Sequence, residues 1–367
     1  MKFSCNTQAL GEAVMNVSRA VSGKSALPAL EGILIATDGD KIILSGYDLE
    51  IAIKTTVRAT VAEEGCAVLS AKLFGEMIRK ADSESITLNV DEKQAAVITA
   101  GNSKFSIMAI DANDYPELPA ISDNRSIEID CEMLKSMVEQ TIFAVSTSET
   151  RPVHTGILFE IEDENLRLIA VDGYRLAIRN EKINNTGSMR FIIPAKTLNE
   201  ILKLIGENDK TVQFHVAARH ISFDVGNFLV ISRLLEGDFL DYKSAIPDGA
   251  AVTVIADTKA LIDAVDRISL LITDRLKSPV RCTFEENKAF LRCTTAIGRA
   301  SDVVDCSISG GGVEVGFNNK YFLDAMRAVD SDQVKIELGT PKTPIKILPM
   351  EGDSFLFLVV PVILKAE

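Results

Sequence analysis

The chain has 367 residues, of which 47% are hydrophobic and 25% charged, and its formal net charge is -13. That length suits about three domains of ordinary size, and no stretch nears the roughly 18 apolar residues that span a bilayer, so a membrane protein is set aside. The acidic balance favours solubility and, taken alone, argues against nucleic acid as a partner, but a mean charge hides local sign.

In chain order, Met1, Phe3 and Cys5 alternate as a strand. Thr7 then caps a helix that carries Leu10, Ala13, Val14, Val17 and Val21 on one face. Residues 31–37 and 41–47 read as strands joined at Asp38-Gly39, a hairpin signal, and 50–57 as a third. A second half replays this order, with a short strand at 67–69, a helix over 71–81 and strands at 85–90, 95–100 and 104–109. The unit is strand, helix, three strands.

The same unit returns along the chain. Ala20-Val21-Ser22 matches Ala144-Val145-Ser146, and Gly32-Ile33-Leu34 matches Gly156-Ile157-Leu158, both at a spacing of 124 residues. Lys72, Lys196 and Lys320 keep that spacing, as do Pro28 and Pro152, with Pro279 a further 127 on. A period this long means three domains of one fold. The fold class is α+β, built of antiparallel sheets with helices on one face. Pro, Gly and Asp interrupt the pattern near 123–125 and 247–250, which sets domains at 1–123, 125–247 and 250–367.

The second helix of each domain carries base, acid, base at i, i+4, i+7: Lys72, Glu76, Arg79; Lys196, Glu200, Lys203; Lys320, Asp324, Arg327. That spacing places the three on one face, opposite Phe74, Met77 and Ile78 and their counterparts Leu198, Ile201, Leu202 and Phe322, Ala325, Met326. A single such helix is an ordinary solvated one, since i,i+4 ion pairs contribute only about 0.2 to 0.5 kcal/mol each. Three equivalent copies in an acidic chain point to a surface that meets a nucleic-acid backbone without reading sequence. Lys24, Arg151 and Arg275, which follow the first helices, join that surface.

Enzyme and metal signals are weak. Ser22-Gly23-Lys24-Ser25 matches the end of a phosphate-binding loop, but Ser18 stands where the earlier glycine belongs and the segment follows a helix. Gly310-Gly311-Gly312 leads into a strand and reads as a turn. His215 and His220 fall on opposite faces of one strand and His154 stands alone, so no metal site is expected. Cys5, Cys66, Cys131, Cys282, Cys293 and Cys306 sit singly on apolar segments, as buried free thiols of a reducing, cytoplasmic protein do. Asp172-Gly173-Tyr174-Arg175 offers a carboxylate and a guanidinium, but the parallel Gly46-Tyr47-Asp48-Leu49 favours a structural turn. No nucleophile, base and oxyanion donor assemble, and no cofactor is expected.

The three tandem domains, the Met-Lys-Phe start, Leu27-Pro28, the Asp172-Gly173-Tyr174-Arg175-Leu176 run, Gly316-Phe317-Asn318 and Val359-Val360-Pro361 together resemble the bacterial DNA polymerase III beta subunit family over the whole chain. The resemblance implies a noncatalytic processivity factor. It implies a head-to-tail homodimer closed as a ring around duplex DNA, with helices lining the hole and sheets outside. Its dimer contact maps to Phe105 and Ile107 of one copy against the region of Leu271 and Ile272 of the other. Its partners, the replicative polymerase, the clamp loader and repair factors, would insert a short peptide into a pocket at Val171, Gly173, Tyr174, Arg175, Leu176, Asn318, Tyr321, Val360, Pro361 and Val362. Leu240 stands where the family has proline, and the tail runs on through residues 363–367. A three-domain peptide-binding scaffold without DNA encirclement is the alternative reading.

Overall fold

A computed structural model describes all residues except 122–124, 185–186, 274–277 and 365–367. The first third contains β1 (Lys2–Asn6), α1 (Thr7–Val17), β2 (Gly32–Asp38), β3 (Lys41–Tyr47), β4 (Ile51–Glu63), β5 (Cys66–Ser70), α2 (Ala71–Arg79), β6 (Ser85–Val90), β7 (Ala95–Ala100) and β8 (Ser103–Met108). The middle third contains β9 (Arg125–Asp130), α3 (Cys131–Glu139), β10 (Gly156–Glu162), β11 (Asn165–Val171), β12 (Arg175–Lys182), β13 (Ser188–Pro194), α4 (Ala195–Leu204), β14 (Thr211–Val216), β15 (His220–Val225) and β16 (Phe228–Arg233). The last contains β17 (Val252–Asp257), α5 (Thr258–Ser269), β18 (Val280–Glu285), β19 (Lys288–Thr295), β20 (Gly298–Gly310), β21 (Val313–Phe317), α6 (Asn319–Arg327), β22 (Gln333–Leu338), β23 (Ile345–Leu348) and β24 (Phe355–Val359). Every strand pairing is antiparallel.

These elements form two compact units that do not follow the thirds of the sequence. Unit 1 is Met1–Cys131 with Lys196–Leu234, and unit 2 is Glu132–Ala195 with Leu235–Glu367. Unit 1 holds a twelve-stranded sheet whose main path runs β8-β7-β6-β1-β4-β16-β15-β14-β9, with β2, β3 and β5 branching from β4. Unit 2 holds a second sheet, β13-β10-β11-β12-β24-β23-β22-β17-β20-β19-β18-β21. The division arises because strands pair across the sequence boundaries: β4 pairs with β16 from Ile51↔Ser232 to Thr55↔Phe228, and β12 with β24 from Arg175↔Val359 to Arg179↔Phe355.

Local chemistry explains most bounds. The Asp38-Lys41 closure uses Gly39 at φ 62°, the left-handed conformation a two-residue hairpin loop demands. Strand β4 runs six residues beyond the expected 57, because Ala59 to Glu63 pair with β1. The helix cap moves one residue earlier than expected: Asn6 accepts the Ala9 amide at 3.0 Å, and Thr7 is the first, buried helical residue. Its face is Leu10, Ala13, Val14 and Val17, while Val21 lies past the helix after a short 3-10 turn. Pro28 and Pro152 open matching 3-10 turns, whereas Pro279 directly precedes β18.

Two other expectations are corrected. His215 and His220 lie on separate strands of one hairpin, β14 and β15, because the chain turns between them at 217–219. Cys66 is exposed at a strand start and Cys306 half-buried, and Cys131 begins a helix; only Cys5, Cys131, Cys282 and Cys293 are buried, and none of the six forms a disulfide. Among the described residues no helix is long and apolar enough to cross a membrane.

Candidate functional site

The second helix of each repeat turns its charged residues outward, as helical spacing requires. On α2, Phe74 and Ile78 are buried and Lys72, Glu76 and Arg79 exposed. On α4, Leu198 and Ile201 are buried, Leu202 is half-buried, and Lys196 and Lys203 are exposed. On α6, Phe322, Ala325 and Met326 are buried beneath exposed Lys320 and Arg327. The bases are nonetheless mostly paired. Arg79 donates to both oxygens of Glu76 at 2.6 Å and holds that carboxyl below the usual carboxylate range. Lys203 bonds Glu200 at 2.8 Å, Lys196 bonds Asp48 at 2.6 Å, and Arg327 grips both oxygens of Asp266. Among the described residues, Lys72 and Lys320 have no ion pair. Lys24 and Arg151 are exposed, and Arg275 lies outside the described residues.

The second cluster lies wholly in unit 2. Strand β11 ends at Val171, and the chain turns through Asp172, Gly173 and Tyr174 into β12. Gly173 takes φ 92°, and Asp172 Oδ1 accepts the amides of Tyr174 (2.9 Å) and Arg175 (3.1 Å), which fixes the turn. Val171 and Leu176 are buried in an apolar cluster with Leu158, Ile178, Ile192, Tyr242 and Leu358, against which Phe239 packs. Because β24 pairs beside β12, the tail leaves the sheet next to this turn, and the Val360 amide donates to the Tyr174 carbonyl at 2.8 Å.

Arg175 ties this turn to α6. Its Nε donates to Asp172 Oδ2 at 3.0 Å, and its other arm bonds Asp324. The guanidinium lies 4.8 Å from the Tyr321 ring centre and 5.7 Å from that of Phe143. Tyr174, 59% exposed, stacks on Tyr321 with centroids 5.6 Å apart. Asn318 caps α6 by accepting the Lys320 and Tyr321 amides, which aims Tyr321 at the turn. A cleft of about 780 Å³ is lined by Asn318, Tyr321, Val362 and Ile272. Burial and the Asp172 carboxylate push the Tyr321 phenol up, Arg175 pulling the other way.

Of the expected pocket residues, Asn318, Tyr321 and Val362 line the cleft, Gly173, Tyr174, Arg175 and Val360 lie at the turn and the tail bonded to it, and Val171 and Leu176 are buried beneath. Sequence spacing missed Phe143 and the role of Asp324, whose partner Arg175 is 149 residues away. Ile272, expected with Leu271 at the dimer contact, also lines this cleft. Phe105 and Ile107 sit half-buried on β8, the first strand of its sheet, facing the Ile98 and Ala96 partners of β7. Leu271 is half-buried after α5, and its neighbour Leu270 is 81% exposed.

Three family models match consecutively: the DNA polymerase III beta subunit N-terminal domain over residues 1–119, its central domain over 128–241 and its C-terminal domain over 243–363. The chain belongs to the DNA polymerase III beta subunit family. It is 33% identical over 355 residues to the beta sliding clamp of Staphylococcus aureus, covering 94% of each chain. It is 30% identical over 375 residues to that of Bacillus subtilis, covering 99% of each. The crystal structure of the DNA polymerase sliding clamp from Bacillus subtilis covers 100% of both chains with a TM-score of 0.97 at 30% identity. Clamp subunits of this family are noncatalytic, and the function is that of a DNA sliding clamp in replication. Membership agrees with the chemistry above: Asp172 and Arg175 neutralise each other within a turn, and the Ser22 to Ser25 stretch follows a helix and a 3-10 turn, not a strand.

Proposed function

We propose that two copies of this chain close head to tail around duplex DNA and tether the replicative polymerase, the clamp loader and other proteins through a short peptide held between the Tyr174–Arg175 turn, Tyr321 and the tail. Three domains, 1–123, 125–247 and 250–367, act in the cytoplasm, and Lys24, Lys72, Arg79, Arg151, Lys196, Lys203, Arg275, Lys320 and Arg327 face the DNA. Contacts of this kind are weak and independent of sequence, so retention comes from topology.

The repeated strand ladder carries this reading. Within the chain, β4 meets β16 and β12 meets β24 over five residue pairs each. The third equivalent of β4 and β12 is the first half of β20, paired on one side with β19, and the third equivalent of β16 and β24 is β8, at the end of its sheet. Two unsatisfied edges of the same repeat invite pairing between copies, and a heterologous contact closes when the repeat angle allows. Carrying over the internal registers places Lys104 opposite Ser301 and Phe105 opposite Ala300. Exposed Met108, Leu270 and Ile297 near these edges supply apolar area.

The test is a chain carrying Lys104→Cys and Ser301→Cys, both exposed. Oxidation should give a covalent dimer that stays on a nicked circle through denaturing detergent and is released when the circle is cut. A wild-type monomer at micromolar concentration, or a cross-linked species that linearisation does not release, sinks the proposal.

A further inference from the structure

We propose that Gly316 is the seat of the C-terminal tail and Leu364 the knob that fills it, so that this contact positions the Val360 to Val362 wall of the peptide cleft. The inference rests on the peptide-binding reading above. Gly316 lies on β21, and the Val362 amide donates to its carbonyl at 2.8 Å. A Cβ at Gly316 would stand 2.5 Å from Leu364 Cδ2, 2.9 Å from Leu364 Cγ and 2.7 Å from the Val362 carbonyl oxygen. The last of these is backbone, so even one methyl group must move the tail itself.

The glycine is there for space and not for conformation, because its φ is not in the left-handed region. The other repeats make the same point. Val68 and Ile192 occupy the same place, three residues before the helix, and also receive a connecting segment: Val68 exchanges two hydrogen bonds with Ile110, and Ile192 accepts from the Leu235 amide. Both carry branched side chains, so the strand tolerates them and only the third copy drops the segment onto a bare backbone. The tail is then held at two points, Tyr174 and Gly316, with Val360, Pro361 and Val362 strung between, and Val362 reaches the cleft beside Ile272 and Tyr321.

The test uses the full chain and a fluorescein-labelled peptide, the tightest binder among overlapping peptides tiled from the organism's replicative polymerase. Gly316→Ala should weaken binding at least tenfold with dimer mass unchanged. Leu364→Ala, which empties the seat, should weaken it no more than about threefold, and combined with Gly316→Ala should leave most of the tenfold loss in place, because the new methyl still meets the Val362 carbonyl. Leu364→Asp leaves β21 intact and should reproduce the tenfold loss, which keeps the test decisive if Gly316→Ala folds poorly. Wild-type affinity in Gly316→Ala or in Leu364→Asp overturns the seat. Failure of the wild-type chain to bind any tiled peptide would remove the peptide-site reading itself.

Discussion

Replacing Arg175 with Ala removes the one cation that two carboxylates share. The side chains of Arg175, Asp172 and Asp324 are 10%, 12% and 25% exposed, so neither acid is fully rehydrated when the guanidinium goes. Truncating one partner of a buried, hydrogen-bonded charge pair costs about 3 to 5 kcal/mol, and cation–π contact adds about 0.5 to 1 where rings remain partly wet. Asp324 can turn toward water, which brings the expected loss to about 3 kcal/mol. Urea unfolding of Arg175→Ala, Asp324→Ala and the double variant, followed by tyrosine fluorescence, would measure it. The cycle should show coupling of about 1 to 2 kcal/mol, and Arg175→Lys should recover less than half of the loss because an ammonium cannot fork or stack. A loss under about 1 kcal/mol for Arg175→Ala, or no coupling, would refute the assignment of Arg175 as the tie between turn and helix.

Three other outcomes follow from the same geometry. Phe105→Asp with Ile107→Asp should give monomers by sedimentation, and so should Leu271→Ala with Ile272→Ala, the latter pair also weakening peptide binding because Ile272 lines the cleft with Val362. Lys72→Ala and Lys320→Ala should each lower the salt dependence of DNA association by up to about one counterion, and Arg79→Ala by less, because Arg79 already serves Glu76. Burial pushes the Glu160 carboxyl up, but hydrogen bonds from Tyr242 at 2.6 Å and Arg167 at 2.8 Å outweigh it and the net direction is down. A depressed carboxylate stabilises the fold above its unfolded pKa and loses that contribution as pH falls through the folded value. Melting of Glu160→Gln should therefore lie below wild type at pH 7 and converge with it in strong acid; a constant gap down to pH 2 would contradict this.

Legibility in the sequence followed the range of the interaction that decides each feature. The hairpin strands at 41–47, 85–90 and 95–100 emerged with their observed bounds because side-chain alternation and the Gly39 turn are local. The extension of β4 to Glu63 did not, since its polar alternation acquires meaning only from pairing with Lys2 to Cys5. For the same reason the thirds of the sequence were visible but the two compact units were not, as Ile51↔Ser232 and Arg175↔Val359 join residues more than 180 apart. At the site, the turn glycine and the aromatic residues could be picked out by resemblance. The acid of the third stripe could not be assigned, because i,i+4 spacing pointed Asp324 along its own helix while the fold gave it to Arg175.

The pairing of the helical bases has a mechanical consequence. A lysine or arginine that already holds a carboxylate gains little by exchanging it for a phosphate, so in the proposed ring each step along the duplex would trade one weak attachment for another of nearly equal energy. Arg79, Lys196, Lys203 and Arg327 would thus present a shallow, nearly level potential in which one-dimensional diffusion meets low friction. Cutting the carboxylates away, as in Glu76→Gln with Glu200→Gln, would deepen the wells and slow the travel of the protein along DNA without loosening its hold.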